Sequence, residues 1–162
     1  MLLNRHAKSD WGNPLLNDFD RPLNSRGEND APRMGKRLFE RDPNIDLIIS
    51  SPANRAITTA KLMAKELGYA VENIQQEPKI YEAQVSQLLK IINQIDNDYE
   101  TVLMYGHNPG FTDLADYLTG AGILNIPTCG ICKISFDFDD WAEVSAHTGK
   151  LVYFDFPKRD IF

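Results

Sequence analysis

Two short and almost uninterrupted apolar runs most restrict how this chain can fold: "IDLIIS" at 45–50 and "TVLMYG" at 101–106. Near-continuous apolar runs of this length are typical of parallel strands that are buried on both faces. Each run is followed by apolar residues at helical spacing, over 53–68 and over 109–120. Because parallel strands need a long crossover connection, usually a helix, this order indicates an α/β protein.

The other segments continue the alternation of strands and helices. Further strands are predicted at Leu2–Asn4, Ile74–Glu77, Gly130–Phe138 and Lys150–Phe156, and further helices at Ser25–Arg41 and over Val85, Leu88, Leu89, Ile92 and Ile95. The last two strands alternate apolar and polar residues and follow one another, as in a hairpin. The pattern predicts a three-layer α/β/α sandwich around a mostly parallel sheet with a C-terminal β-hairpin, formed by one domain over residues 1–162.

The charge of the chain argues against several classes of partner. A net charge of −6 disfavours nucleic acid and anionic membranes, because both would repel the protein. No apolar run approaches the roughly 18 residues of a membrane span, and no signal-peptide core follows Met1. We therefore expect a soluble, cytoplasmic protein in which any anion site is a local cluster of basic residues.

The two cysteines, Cys129 and Cys132, form a single C-x-x-C. A structural zinc site needs four ligands, and the sequence has no second cysteine pair and no matching histidine pair. A redox C-x-x-C is expected at a helix N-terminus, whereas this one lies in the alternating segment "CGICKISFDF". We interpret both cysteines as ordinary strand residues, with a redox role as the alternative.

Basic residues follow three of the predicted strands. Arg5 and His6 come after the first strand, Arg55 lies just after "IDLIISSP", and His107 follows "TVLMYG". The carboxyl ends of parallel strands meet at one edge of the sheet, where open α/β folds build their binding crevice. The sequence therefore places two arginines and two histidines at one edge.

Such a cluster suits a tetrahedral dianion such as phosphate. Two guanidinium groups can chelate phosphate oxygens, and the helix N-termini after Pro52 and Pro109 add backbone N–H donors. A neutral imidazole can attack phosphorus, while a second imidazole donates a hydrogen bond to an oxygen.

Other phosphate chemistries lack their sequence motifs. The chain has no nucleotide-binding glycine loop, and the positions six residues after the cysteines hold Ser135 and Phe138 instead of arginine. Asp18-Phe19-Asp20 has the letters of an aspartate-nucleophile motif, but a polar segment precedes it instead of a buried strand. The three histidines form no metal-binding pattern, and His147 is expected in an exposed loop. We expect neither a metal nor a cofactor.

Four motifs, in order, resemble those of the histidine phosphatase superfamily, and within it the small SixA-like phosphohistidine phosphatases. They are RHAKSDW at 5–11, SSPANRAITTA at 50–60, GHNPG at 106–110 and FDFPKR at 154–159. The segment DRPLNSRGENDAPRMGKRL, at 20–38, is similar to the stretch that follows the first motif. The resemblance covers essentially the whole chain and implies a phosphoglycerate mutase-like fold.

By this resemblance, His6 is the nucleophile that is transiently phosphorylated, and Arg5, Arg55 and His107 complete the phosphate pocket. The resemblance also implies substrate contacts for Ser9 and Arg21, although a surface salt bridge is the alternative for Arg21.

Glu82 lies where larger relatives supply a general acid, and its alternative is a carboxylate at a helix start. A strong acid is less necessary for phosphohistidine, because the leaving imidazole has a conjugate-acid pKa of about 6.5. The expected function is a metal-independent phosphatase acting on phosphohistidine in a phosphoprotein. A phosphatase for small phosphate esters and a non-catalytic phosphate-binding module are the alternatives.

Overall fold

The computed structural model describes residues 1–159, and six strands and four α-helices alternate along this part of the chain. The strands are β1 (Leu2–Arg5), β2 (Leu47–Ser50), β3 (Gln75–Gln76), β4 (Val102–Gly106), β5 (Ile131–Phe136) and β6 (Gly149–Asp155). The helices are α1 (Ser25–Arg41), α2 (Asn54–Leu67), α3 (Val85–Asn93) and α4 (Gly110–Thr119). Two single-turn 3₁₀ helices, Asp18–Asp20 and Pro78–Ile80, lie beside the site described below.

The strands form one sheet in the order β3-β2-β4-β1-β5-β6. β3, β2, β4 and β1 pair in parallel, whereas β5 pairs antiparallel with both β1 and β6. The prediction of a mostly parallel sheet with a C-terminal β-hairpin is therefore confirmed.

The helices cover both faces of the sheet. On one face, α1 and α2 bury Met34, Leu38 and Met63 against Leu2 and Leu103. On the other face, α3 and α4 bury apolar residues against the opposite side chains of the same strands: Leu88, Ile92, Phe111 and Leu114 against Leu3 and Met104. Because successive strand residues point to opposite faces, Leu2 and Leu3 enter different cores. The three layers are those expected from the sequence.

A close approach at Gly27 fixes α1 against the loop that follows β1. A Cβ atom at this position would lie 2.2 Å from the carbonyl oxygen of Lys8, so a side chain has no room there. The N-cap of α1, Asn24, also donates its backbone N–H to Lys8 O at 3.0 Å. These contacts hold the segment after β1 in one position beside the sheet edge.

The cysteine prediction was half right. Cys132 lies in β5, but Cys129 lies in a turn before that strand, with a positive φ of 61°. Both thiols are buried, and burial raises the pKa of Cys132 to about 12 and that of Cys129 still further. A thiol whose pKa is raised in this way is a poor nucleophile at neutral pH, which disfavours the redox alternative.

Two further predictions concern single features of the chain. His147 is exposed, as predicted. No helix within residues 1–159 is long and apolar enough to cross a membrane.

Candidate active site

The two histidines leave the sheet side by side. Arg5, the last residue of β1, is in register with Gly106, the last residue of the parallel strand β4. His6 and His107 are the next residues, so both rings emerge at the same sheet edge, with their centroids 5.3 Å apart. Arg55 reaches the same edge from the first turn of α2. The structure thus brings together the four residues that the sequence placed at this edge.

Hydrogen bonds define the protonation of His6. Its Nδ1 lies 2.7 Å from the carbonyl oxygen of Ala7, which can only accept, so Nδ1 carries the hydrogen. Its Nε2 accepts a hydrogen bond from Arg55 Nε at 3.3 Å. Burial lowers the pKa of His6 to about 3, assisted by the neighbouring positive charges and opposed by the bond to Ala7. At neutral pH the ring is therefore uncharged, with the lone pair on Nε2.

Thr59 of α2 supports this arrangement, although sequence reasoning did not identify it. Its hydroxyl accepts from the backbone N–H of Ala7 at 3.0 Å and donates to the carbonyl oxygen of Arg55 at 2.7 Å. It thus ties the strand end that carries the nucleophile to the helix turn that carries the arginine.

His107 is held by a serine of the neighbouring strand end. Its Nε2 lies 2.7 Å from Oγ of the fully buried Ser51, the residue that follows β2. Its buried Nδ1 has no hydrogen-bond partner within the described part of the chain. Burial, with the charge of Arg55, lowers the pKa of His107 to about 4, so this ring is also neutral near pH 7. Sequence reasoning did not single out Ser51.

Arg5 and Arg55 bring positive charge to the sheet edge. Arg5 donates from Nη1 to the carbonyl oxygen of Ile126 at 2.9 Å, while its buried Nε lacks a hydrogen-bond partner among residues 1–159. Burial, together with the charge of Arg55, lowers the pKa of Arg5 from a normal value that is far above neutrality. The site opens into a cleft of about 360 Å³ at the surface, lined by these four residues and by Lys8, Ser9, Trp11, Asp18, Arg21, Tyr81, Glu82, Asn108 and Thr128.

Asp18 lies in the 3₁₀ turn between β1 and α1 and contacts Arg55 and Arg21. Its Oδ2 accepts from Arg55 Nη2 at 3.0 Å and from the hydroxyl of Tyr81 at 2.6 Å. Its Oδ1 accepts from Arg21 at 3.0 and 3.2 Å, and its backbone oxygen accepts from Arg55 Nη1 at 2.7 Å. In the sequence, Asp18 stands out only as part of an aspartate-nucleophile motif, and nothing there indicates its contacts with Arg55 and Arg21.

Arg21 and Ser9 form part of the cleft wall. Arg21 is 7% exposed and donates from Nη1 to Ser9 Oγ at 2.7 Å, while its guanidinium stacks on the Trp11 ring at 3.4 Å. Arg21 also forms an ion pair with Asp18, as expected if Arg21 is a salt-bridge residue. Both residues line the cleft, however, so this ion pair is part of the site.

Comparison with known proteins identifies the family of this chain. The family model of the histidine phosphatase superfamily, branch 1, matches residues 1–110, which include all four residues at the sheet edge. The chain belongs to the histidine phosphatase superfamily.

Relatives and solved structures extend the match beyond residue 110. An uncharacterized chloroplastic protein of Arabidopsis thaliana is 32% identical over 157 residues, which cover 92% of this chain and 72% of the plant protein. A crystal structure from Agrobacterium tumefaciens, of a protein whose proposed identity is the phosphohistidine phosphatase SixA, is 26% identical and superposes with a TM-score of 0.80 over 96% of each chain. The protein histidine phosphatase SixA complexed with tungstate shares the fold, with a TM-score of 0.81 over 97% of each chain at 19% identity.

In this histidine phosphatase, Glu82 lies on the rim of the cleft. Its side chain is exposed, and its backbone has a positive φ of 58°. α3 begins at Val85 with Gln84 as its N-cap, so Glu82 precedes the helix and does not belong to its first turn. Within residues 1–159, no group of three or more His, Cys, Asp or Glu side chains is arranged to hold a metal ion.

Proposed function

We propose that this histidine phosphatase hydrolyses phosphohistidine on a phosphoprotein, through a covalent intermediate on His6 and without a metal ion. The observation that carries the proposal is the state of His6 Nε2, which holds a lone pair at neutral pH beside a guanidinium group. A nucleophile of this kind needs no base to activate it, because its proton is already on Nδ1. Membership of the family supports the same chemistry.

The proposed reaction has two displacements at phosphorus. First, His6 Nε2 attacks, and the bond from phosphorus to the substrate nitrogen breaks. The electron pair stays on the leaving imidazole, which takes a proton from solvent. Water then attacks the phosphorus of phosphorylated His6 and releases a proton to solvent, the bond to Nε2 breaks, and phosphate leaves. Arg5, Arg55 and His107 are placed around the cleft to bind the phosphoryl oxygens as their charge develops.

The rim of the cleft supports an N-linked phosphoryl group as the substrate. Glu82 is a carboxyl on the rim of the cleft that could serve as a proton donor, but its side chain is exposed to solvent. Expelling an alkoxide needs such a donor, whereas expelling an imidazole, whose conjugate acid has a pKa of about 6.5, does not.

The openness of the site supports a macromolecular substrate. Only the short helix α3 separates Glu82 from β4, so this connection has no long insertion to cover the cleft. A cleft without a cover can admit a side chain on a protein surface, while a small phosphate ester would have few contacts beyond its phosphate. We also propose that the chain is one domain, which the pairing of β5 with β1 supports.

A substrate panel tests this function. We expect kcat/KM for a phosphohistidine protein or peptide to exceed that for phosphoserine, phosphotyrosine and sugar phosphates, with no loss of activity in EDTA. Equal turnover of sugar phosphates would favour a small-ester phosphatase, and phosphate binding without any turnover would favour a binding module. Loss of activity in EDTA that one metal restores would contradict the metal-independent mechanism.

A further inference from the structure

Arg55, the side chain proposed above to bind the phosphoryl group, already donates hydrogen bonds within the protein. Each of its three nitrogens donates a hydrogen bond: Nε to His6, Nη1 to the backbone oxygen of Asp18, and Nη2 to the Asp18 carboxylate. Because each Nη atom carries two N–H bonds, Nη1 can keep its bond to the backbone oxygen while it binds a phosphoryl oxygen. A phosphoryl oxygen at Nη2 would lie beside the Asp18 carboxylate and would compete with it for Arg55.

The Asp18 carboxylate is itself an oxyanion held by several donors. Hydrogen bonds from Tyr81 and from two arginines converge on its two oxygens. Partial burial alone would raise the pKa of Asp18, but these hydrogen bonds hold it well below its usual value, so the carboxylate is charged at neutral pH. It thus offers Arg55 the same kind of partner as a phosphate oxygen does.

The position of Asp18 allows this contact to open. Its side chain is 46% exposed, and it lies in a single 3₁₀ turn with no buried residue. The side chain can therefore move toward solvent without disrupting either apolar core. The ion pair of Arg37 with Asp155, by contrast, joins α1 to β6 with both side chains largely buried.

We propose that Asp18 is an internal competitor of phosphate: it bonds to Arg55 in the folded protein, yields to the substrate phosphoryl group, and returns as the phosphate product leaves. This inference rests on the proposed function, since it takes Arg55 as the phosphate ligand. An internal carboxylate of this kind weakens the binding of every phosphate by the free energy needed to break its own contacts. It thereby keeps free inorganic phosphate from occupying the cleft and speeds release of the product.

Phosphate binding by Asp18 variants tests the proposal without any need for turnover. We expect Asp18→Asn and Asp18→Ala to bind inorganic phosphate and orthovanadate about tenfold more tightly than the wild type, measured by calorimetry at constant ionic strength. The matched control is Asp20→Asn, which removes a charge from the same exposed turn but from a side chain outside the set that lines the cleft in residues 1–159. We expect its affinity to equal that of the wild type.

Three other results of the phosphate-binding measurement would overturn the inference. If the Asp18 variants bind phosphate with unchanged or lower affinity, Asp18 instead orients Arg55, and the inference is wrong while the proposed function stands. If Asp20→Asn tightens binding as much as Asp18→Asn, the effect is one of net charge, which also overturns the inference. If no variant binds either anion, Arg55 is not a phosphate ligand, and both proposals fail.

The tryptophan beside Asp18 gives a second readout. Trp11 stacks on Arg21, which is bonded to Asp18, and its side chain is 71% exposed. We expect saturating phosphate to change tryptophan fluorescence in the wild type, and we expect Trp11→Phe to abolish this change. If the wild type shows no change, or if the change persists in Trp11→Phe and therefore arises at the second tryptophan, Trp141, the surroundings of Trp11 do not respond to phosphate, and the result would contradict the proposal.

Discussion

His6 and His107 lie with their ring centroids 5.3 Å apart, although they belong to opposite ends of the family-matched segment. The parallel pairing of β1 with β4, in which Arg5 faces Gly106, produces this relationship. Both rings are neutral at neutral pH, since burial lowers the pKa of His6 to about 3 and that of His107 to about 4. One ring can therefore act as a nucleophile while the other offers a hydrogen bond, without mutual charge repulsion.

His6→Ala tests the covalent step. We expect loss of turnover with the fold intact, because the variant keeps every backbone contact but lacks Nε2. Wild-type enzyme quenched during turnover of labelled substrate should carry an acid-labile, base-stable phosphoryl group. His147→Ala, which changes an exposed histidine beside Gly120, is the control and should retain full activity. Residual phosphoenzyme in His6→Ala would contradict the assignment of the nucleophile.

The lowered pKa of His6 predicts a specific loss of stability in acid. Between pH 6.5 and about 3, the unfolded chain binds a proton on this ring and the folded chain does not. The free energy of unfolding should therefore fall as the pH decreases through this range, by up to about 1.4 kcal/mol per pH unit for each such histidine. Urea unfolding at pH 7 and at pH 5 should show a smaller loss for His6→Ala than for the wild type. Equal losses would show that His6 titrates normally in the folded protein.

Ser51 should act as a positioning residue for His107. Its hydroxyl lies 2.7 Å from His107 Nε2, and both groups are buried. Ser51 Oγ also accepts from the backbone N–H of Ala53 at 3.2 Å, so Ser51→Ala removes two hydrogen bonds. We expect loss of the bond to His107 to lower kcat about fivefold, with little change in phosphate affinity. Ser51→Thr, which keeps the hydroxyl, should restore most of kcat. If the alanine and threonine variants have equal kcat, the hydroxyl of residue 51 does not position His107, and the prediction is wrong.

Glu82 separates the two leaving-group chemistries. We expect Glu82→Gln to leave kcat/KM for phosphohistidine almost unchanged and to slow any alkyl phosphate ester more, because only the alkoxide needs a proton donor. Both substrates should be measured at one pH in wild type and variant. If the substitution slows both substrates equally, Glu82 is an ordinary general acid and the enzyme is a general phosphomonoesterase.

The sequence determined the sheet and the four residues at its edge. The runs at 45–50 and 101–106 form β2 and β4 because uninterrupted apolar segments are stable only where both faces are buried. Parallel pairing then brings the residues after each strand to one edge, so the sequence alone places Arg5, His6, Arg55 and His107 together. The turn at Cys129 was missed, because its positive φ has no signature in an otherwise alternating segment.

Only the tertiary structure decided which side chains hold these four residues in place. Asp18 comes from an irregular segment between β1 and α1, where no periodicity indicates the direction of a side chain. In the sequence, nothing distinguishes Ser51 and Thr59 from other serines and threonines. Their contacts with His107 and Ala7 form only when β2, β4 and α2 pack together. The order of strands and helices depends on the local spacing of apolar residues, which can be read from the sequence. Contacts such as Asp18 with Arg55 depend on distances between distant segments, and those distances exist only once the chain has folded.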